Sequence, residues 1–280
     1  MQLVTTPAAL SAWSQQHRVA GRRIALVPTM GALHEGHLAL IECAREQADI
    51  VVVSIFVNPM QFERPDDFEA YPRRIDDDLD ICRTADVDAV YAPVAATMYP
   101  PLFDTSVLPG HLGDVLEGAQ RPGHFRGVAT VVAKLFNAAQ PDVAVFGRKD
   151  FQQLAIIRRM VTDLDMPIDI IGMPTVREPD GLALSSRNRR LAPEQRMAAV
   201  CVPRMLDAVR GAFASGVVDT NELIATGRAI VDAQPLARFE HLEFVHADTL
   251  DHVTTADATT VAVAAVWFDD VRLIDNVALG

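Results

Sequence analysis

The feature that most restricts the fold is a rhythm of short, continuously apolar, β-branched runs separated by helix-like stretches. "RIALVP" (23–28), "DIVVVSIFV" (49–57), "VDAVYAP" (87–93), "DVAVFG" (142–147) and "IDIIGMP" (168–174) do not alternate apolar with polar residues. That pattern marks strands covered on both faces. Between them lie "LALIECAREQA" (38–48), "DDDLDICRTA" (76–85), "GVATVVAKLFNAA" (127–139) and "FQQLAIIRRMVTDL" (151–164), all helix-like. Strand, helix, strand in repetition gives an α/β fold, a twisted, doubly wound parallel sheet with right-handed crossovers.

After about residue 180 the rhythm changes. "PEQRMAAVCVPRMLDAVRGAFASG" (193–216) and "TNELIATGRAIVDAQ" (220–234) read as amphipathic helices, and "RFEHLEFVHAD", "TTVAVAAVWFD" and "VRLIDNVAL" as strands. Helices followed by strands imply a smaller α+β C-terminal domain. The expected division is residues 1–180 and 181–280, joined near "VREPDGLALSSRN" (176–188), where Pro179, Asp180 and Gly181 favour a turn.

With 280 residues, 50% of them apolar, the chain can bury a sizeable core. The N-terminus lacks a basic flank followed by an apolar stretch and a cleavage site, and the longest apolar runs fall well short of the ~20 residues that span a membrane. Cys43, Cys82 and Cys201 are odd in number, far apart and without CxxC spacing, which argues against a disulfide framework and fits the cytoplasm. A net charge of -12 opposes extended nucleic-acid binding, so any phosphate partner is small and met locally. Only Lys134 and Lys149 are lysines among otherwise arginine cations, and lysine supplies a compact, flexible point charge.

Against that frame, "VPTMGALHEGHLALI" (27–41) places a strand end, a turn through Gly31 and a helix entrance near Gly36. Ligands of open parallel sheets bind beyond the strands' carboxyl ends, where helix N-termini attract phosphate. His34 and His37, three apart, can point the same way. Three readings stand: donors to nucleotide phosphates, capping and turn packing, or a zinc pair, the last without the HExxH spacing or a recognisable third ligand. "FVNPMQF" (56–62) sets Asn58 and Gln61 at the next strand's end, either as polar residues of an exposed Asn-Pro turn or suited to hydroxyls or a carboxylate, with Met60 and Phe62 as apolar walls. "FGRKDFQQL" (146–154) offers Gly147, Lys149 and Gln153, with Asp150 as a helix cap. "LALSSRN" (182–188) offers Ser185, Ser186 and Arg187 to phosphate oxygens. In "YPRRIDDDLD" (71–80), Asp77 or Asp78 is a candidate for Mg²⁺ or simply a helix-start residue, and in "RPGHFRG" (121–127) Arg121 is a basic turn residue or a substrate contact.

Taken in order, "PTMGALHEGH", "VVVSIFVNPMQF", "YPR", "RPGHFRG", "FGRKDFQQL" and "DGLALSSRN", with "RLIDN" near the end, resemble the motifs of the pantothenate synthetase (pantoate–β-alanine ligase) family. The histidine motif alone is less specific, because it resembles the HxGH motif of a nucleotidyl-transferring superfamily that includes class I aminoacyl-tRNA synthetases. The family resemblance implies a Rossmann-like N-terminal domain, a C-terminal lid, a homodimer, and an ATP-dependent condensation of (R)-pantoate with β-alanine that uses Mg²⁺. It implies that Met30, Gly31, Ala32, Leu33, His34, Glu35, Gly36 and His37 line ATP, with His37 as proton donor. Gly147, Arg148, Lys149, Asp150, Val176, Leu184, Ser185, Ser186 and Arg187 complete that site. Gln61 and Gln153 hold pantoate, with Asn58 and Arg121 as further candidates, and Gln61 also meets β-alanine. Arg190 stands where the family commonly has an aromatic residue. The rival reading is another HxGH-type nucleotidyltransferase acting on a small phosphorylated substrate, which leaves Gln61 and Gln153 without a task.

Overall fold

The structure is a computed structural model that describes residues 1–62 and 65–280. The chain forms two compact units, Met1–Arg148 with Gln152–Pro174, and Lys149–Phe151 with Thr175–Gly280. In the first, six parallel strands lie in the order β1-β4-β3-β2-β5-β6. They are β1 (Gln2–Val4), β2 (Ile24–Thr29), β3 (Ile50–Ile55), β4 (Ala89–Tyr91), β5 (Val143–Gly147) and β6 (Asp169–Met173). All six residues of β3 are buried, so the unbroken apolar run reflects helices on both faces. On one face Ala25, Val27, Val51, Val53 and Val145 pack with Ile41 and Ala44 of helix Glu35–Gln47 and with Leu79 and Cys82 of helix Ile75–Thr84.

The strand order locates the functional edge. From β2 the chain moves to β3 and β4 on one side, then returns to place β5 against the other side of β2, pairing Ala25 with Val143 and Leu26 with Ala144. The connections leaving β2 and β5 diverge there, which opens a crevice beyond their carboxyl ends.

In the second unit, antiparallel strands β7 (Arg238–His246), β8 (Thr260–Phe268) and β9 (Val271–Ala278) accompany helices Cys201–Ala214 and Thr220–Asp232. Met205, Val209, Leu223, Leu242 and Val266 form its core.

Three features depart from the sequence reading. Strand β1 and helix Pro7–Val19 were not foreseen. The stretch 193–216 is two helices, Pro193–Ala198 and Cys201–Ala214, because Pro203 has no N–H to donate back to residue 199; the helical ladder lapses there and the second helix carries the proline in its first turn. All three cysteines are free, and burial pushes the thiols of Cys82 and Cys201 up to about 11, which disfavours the reactive thiolate. Among the described residues no helix is long and apolar enough to cross a membrane.

Candidate active site

The turn after β2 is held by its own hydroxyl and by a carboxylate from another helix. Thr29 Oγ1 donates to Ser54 O (2.7 Å) and accepts from Gly31 N (3.1 Å). Gly31 and Ala32 then take positive φ values of 84° and 53°, a left-handed pair that costs about 1–2 kcal/mol at the alanine. Asp78, only 2% exposed, offsets that cost by accepting from Ala32 N (2.9 Å) and Leu33 N (2.7 Å). A Cβ on Gly31 would stand 2.8 Å from Asp78 Oδ2, so only glycine admits this carboxylate.

The same turn delivers the histidines. His34 is the N-cap of helix Glu35–Gln47: its Nδ1 accepts from Gly36 N (3.1 Å), and His37 Nδ1 accepts from His34 N (3.3 Å). A nitrogen that accepts a backbone N–H carries no proton, so in the neutral imidazoles both ring protons reside on Nε2. The rings lie 4.2 Å apart, centre to centre, at a helix N-terminus. Capping and ligand donation are therefore compatible, the first using Nδ1 and the second Nε2. Glu35 is exposed in the first helical turn and Gly36 partly buried beside it.

Beyond β3, Asn58 is 1% exposed and caps the single turn Pro59–Gln61. Its Nδ2 donates to Gln61 Oε1 and Gly127 O, both at 3.1 Å, so it serves as scaffold beneath Gln61. Gln61 Nε2 reaches Met30 Sδ at 2.9 Å, which brings the amide segment against the histidine turn. Arg121 Nη2 donates to Gln61 O (3.1 Å), and the His124 ring lies 2.8 Å from the same carbonyl, so the basic segment buttresses the backbone of Gln61. A Cβ on Gly127 would collide with the Met60 carbonyl, so that glycine permits the close approach of helix His124–Ala139. Phe62 packs edge-on against Phe68 and Tyr71. Gln153 sits partly exposed in the first turn of helix Phe151–Asp163, while its neighbour Gln152 is buried and bonded to Glu117 N, Leu112 O and Val115 O.

The aspartates divide. Asp78 spends its oxygens on the histidine turn, and Asp77 is exposed, 3.7 Å from Arg74. Among the described residues no group of three or more His, Cys, Asp or Glu is placed to hold a metal ion.

β5 ends at Gly147, and Arg148 Nε donates to Gly172 O (2.8 Å). In the second unit, the side chain of Lys149 is 19% exposed, with Nζ 3.8 Å from Asp150. Its carbonyl accepts from Asn276 Nδ2 of β9 at 2.9 Å. Val176 O accepts from Leu184 N (2.9 Å), which leads the chain to Ser185, whose Oγ caps the turn Ser186–Arg190 by accepting from Arg187 N (3.2 Å). Arg187 Nη1 rests on Arg272 O (3.1 Å), also of β9. Arg190 pairs with Asp270 at 3.0 Å, an exposed ion pair in place of aromatic packing. Strand β9 thus anchors both cation-bearing segments, a task the motif "RLIDN" (272–276) did not disclose. Asn276→Ala should lower turnover about tenfold, with substrate KM little changed, because it frees the Lys149 backbone. Steady-state kinetics test this, and unaltered turnover would assign the bond to stability alone.

A doubly wound sheet with two Nε2-protonated histidines at a helix N-terminus of its switch point places the chain among α/β enzymes that act on nucleotides. The comparisons with known proteins narrow this. A family model described as pantoate-beta-alanine ligase matches residues 2–278. Pantothenate synthetase of Trichlorobacter lovleyi is 52% identical over 260 residues, 93% of this chain and 92% of that one. That of Geotalea daltonii is 48% identical over 280 residues, 100% and 99% of the two chains. A crystal structure of pantothenate synthetase from Thermus thermophilus superposes with a TM-score of 0.94 at 45% identity, covering 100% and 99% of the two chains. One from Francisella tularensis, complexed with beta-gamma ATP and beta-alanine, gives 0.81 at 32% identity, covering 100% and 98%. The chain belongs to the pantoate–β-alanine ligase family.

Proposed function

We propose that this chain condenses (R)-pantoate with β-alanine at the expense of ATP, releasing AMP and pyrophosphate by way of a pantoyl adenylate. The observation that carries the reading is the pair of imidazoles locked by their Nδ1 atoms at the N-terminus of helix Glu35–Gln47.

A pantoate carboxylate oxygen attacks the α-phosphorus of ATP, the new P–O bond forms, and pyrophosphate leaves with the cleaved bond's electrons. Anion meets anion in that step. His34 and His37 supply Nε2–H donors, and Lys149 and Arg187 supply fixed charge, so that the transition state is stabilised more than the reactants. Met30, Gly31, Glu35, Gly36, Gly147, Arg148, Asp150, Val176, Leu184, Ser185 and Ser186 line the nucleotide. Ala32 and Leu33 contribute as wall, since their N–H groups already serve Asp78. The amine of β-alanine then attacks the acyl carbon, and the C–O bond breaks to release AMP. Holding both partners supplies up to ~7–11 kcal/mol of the barrier in well-oriented cases. Water must be kept from the mixed anhydride, which it would hydrolyse.

When present, Mg²⁺ would supply charge neutralisation toward the departing pyrophosphate. It fits an exposed Asp77 better than Asp78, whose oxygens already hold the turn, and it needs few protein carboxylates. The reading includes a homodimer in the cytoplasm.

Pyrophosphate release that needs ATP and pantoate together is the test. Release indifferent to pantoate would favour a different nucleotidyltransferase, and no release would favour a non-catalytic nucleotide module. Gln61→Ala should weaken pantoate about tenfold or more in KM while ATP KM changes little; equal loss of both would mean that the acid is held elsewhere.

A further inference from the structure

We infer that Tyr99 is a positioning residue that, through Asn58, fixes the side chain of Gln61 so that its NH₂ end, a hydrogen-bond donor, is the end offered to a ligand. The inference rests on the reading that Gln61 meets pantoate, and it adds what sets the polarity of that contact.

Met60 N can only donate, so the Asn58 atom 3.2 Å from it is Oδ1. Gly127 O can only accept, so the Asn58 atom 3.1 Å from it is Nδ2. With both ends settled, the Asn58 amide cannot be turned over. Tyr99 Oη lies 2.7 Å from the same Oδ1 and therefore donates to it. The remaining Asn58 hydrogen points at Gln61 at 3.1 Å, so the Gln61 atom there is Oε1. Its Nε2 is left on the side of Met30, where a thioether sulfur, a weak acceptor, occupies one N–H at 2.9 Å.

Tyr99 is suited to a donor's task. Burial raises its pKa further above the ordinary phenol range, so the hydroxyl keeps its proton. The ring is packed 5.0 Å from Phe103 and 6.1 Å from Phe56, and Lys134 Nζ lies 4.8 Å from the Phe103 ring centre and 5.9 Å from that of Tyr99. A carboxylate or hydroxyl oxygen matches what Gln61 presents; an ammonium, or any group that only donates, is left unpaired and rejected.

Two variants and one spectroscopic measurement test this. Gln61→Glu is nearly isosteric but turns the donor into an acceptor, and should raise pantoate KM about a hundredfold or more. Partial recovery should follow as the pH falls and the new carboxyl regains a proton. Tyr99→Phe should raise pantoate KM about tenfold, the effect of one ordinary hydrogen bond, with ATP KM within about twofold. In the unmodified chain, the two Gln61 side-chain NH₂ proton signals are identified by their loss in Gln61→Glu. One should move downfield on saturation with pantoate. If Gln61→Glu leaves pantoate KM unchanged, the reading of the pocket itself fails. If it has its effect while Tyr99→Phe changes neither KM nor the Gln61 signals, only the positioning role of Tyr99 fails. Should Tyr99→Phe not fold, the unmodified chain still decides: Gln61 NH₂ signals left unmoved by pantoate overturn the inference.

Discussion

Replacing Lys149 by alanine should slow pantoate-dependent pyrophosphate formation by a hundredfold or more while thermal stability changes by less than about 1 kcal/mol. The first half follows from electrostatics: removing one preorganised charge or donor from a water-excluded site costs about 10²–10³ in rate. The second half follows from what the side chain does in the fold. Its partner in the described structure is Asp150 at 3.8 Å, a loose and partly exposed ion pair, and such pairs contribute about 0–1 kcal/mol. The segment itself is held by its backbone, through the bond from Asn276 to Lys149 O, which alanine retains. A single-turnover rate of pyrophosphate release, measured beside a melting curve, checks both. An unchanged rate would remove Lys149 from the chemistry.

The second large effect should come from Asp78→Ala, and it should differ in kind. Here stability should fall by about 2–4 kcal/mol, because Ala32 N and Leu33 N lose a buried, charged acceptor and unsatisfied buried donors cost about 1–3 kcal/mol each. The left-handed pair at Gly31 and Ala32 then relaxes, and the histidines it delivers lose their register with the helix start. Turnover should fall more than tenfold even well below the melting temperature. Asp78→Asn, which keeps one acceptor oxygen, should fall between the two. Chemical denaturation and kinetics on the three forms test this ordering; an Asp78→Ala protein as stable as the parent would mean that the turn holds itself.

These residues show what the sequence discloses and what it hides. Strands β2 to β5 were legible because two-sided burial forbids polar alternation, and the helices between them because each carries an apolar face; β6, an edge strand with only Gly172 buried, reads the same way from its apolar run without that cover. Strand β1 was not, since three residues at a sheet edge are too few to show a period. Helix Pro7–Val19 was equally hidden: its apolar residues are sparse, and only Leu10, Trp13 and Ser14 are buried. The histidines, Gln61 and Lys149 stood out as polar groups at strand ends, where unpaired helix N-termini and strand exits collect ligands. Their supports did not. Asp77 and Asp78 read alike as helix-start residues or metal candidates, because an acidic run at a helix start looks the same whether it faces solvent or another loop's amides; burial distinguishes Asp78 from Asp77. Asn58 and Arg121 read equally as turn residues or as substrate contacts, because nothing local reveals that Gly127 and the Gln61 carbonyl are among their partners. Lys134 looked as conspicuous as Lys149 by composition, yet it lies against aromatic rings. Pairings across 41 residues, as between Tyr99 and Asn58, or 127, as between Lys149 and Asn276, leave no periodic trace in one sequence.

The central claim is that a carboxylate oxygen of pantoate becomes bonded to the α-phosphorus before the amide forms. Pantoate carrying ¹⁸O in both carboxylate positions, turned over with ATP and β-alanine, measures it directly. The account predicts one ¹⁸O in each AMP and none in pyrophosphate. AMP free of label, or label recovered in inorganic phosphate, would contradict it.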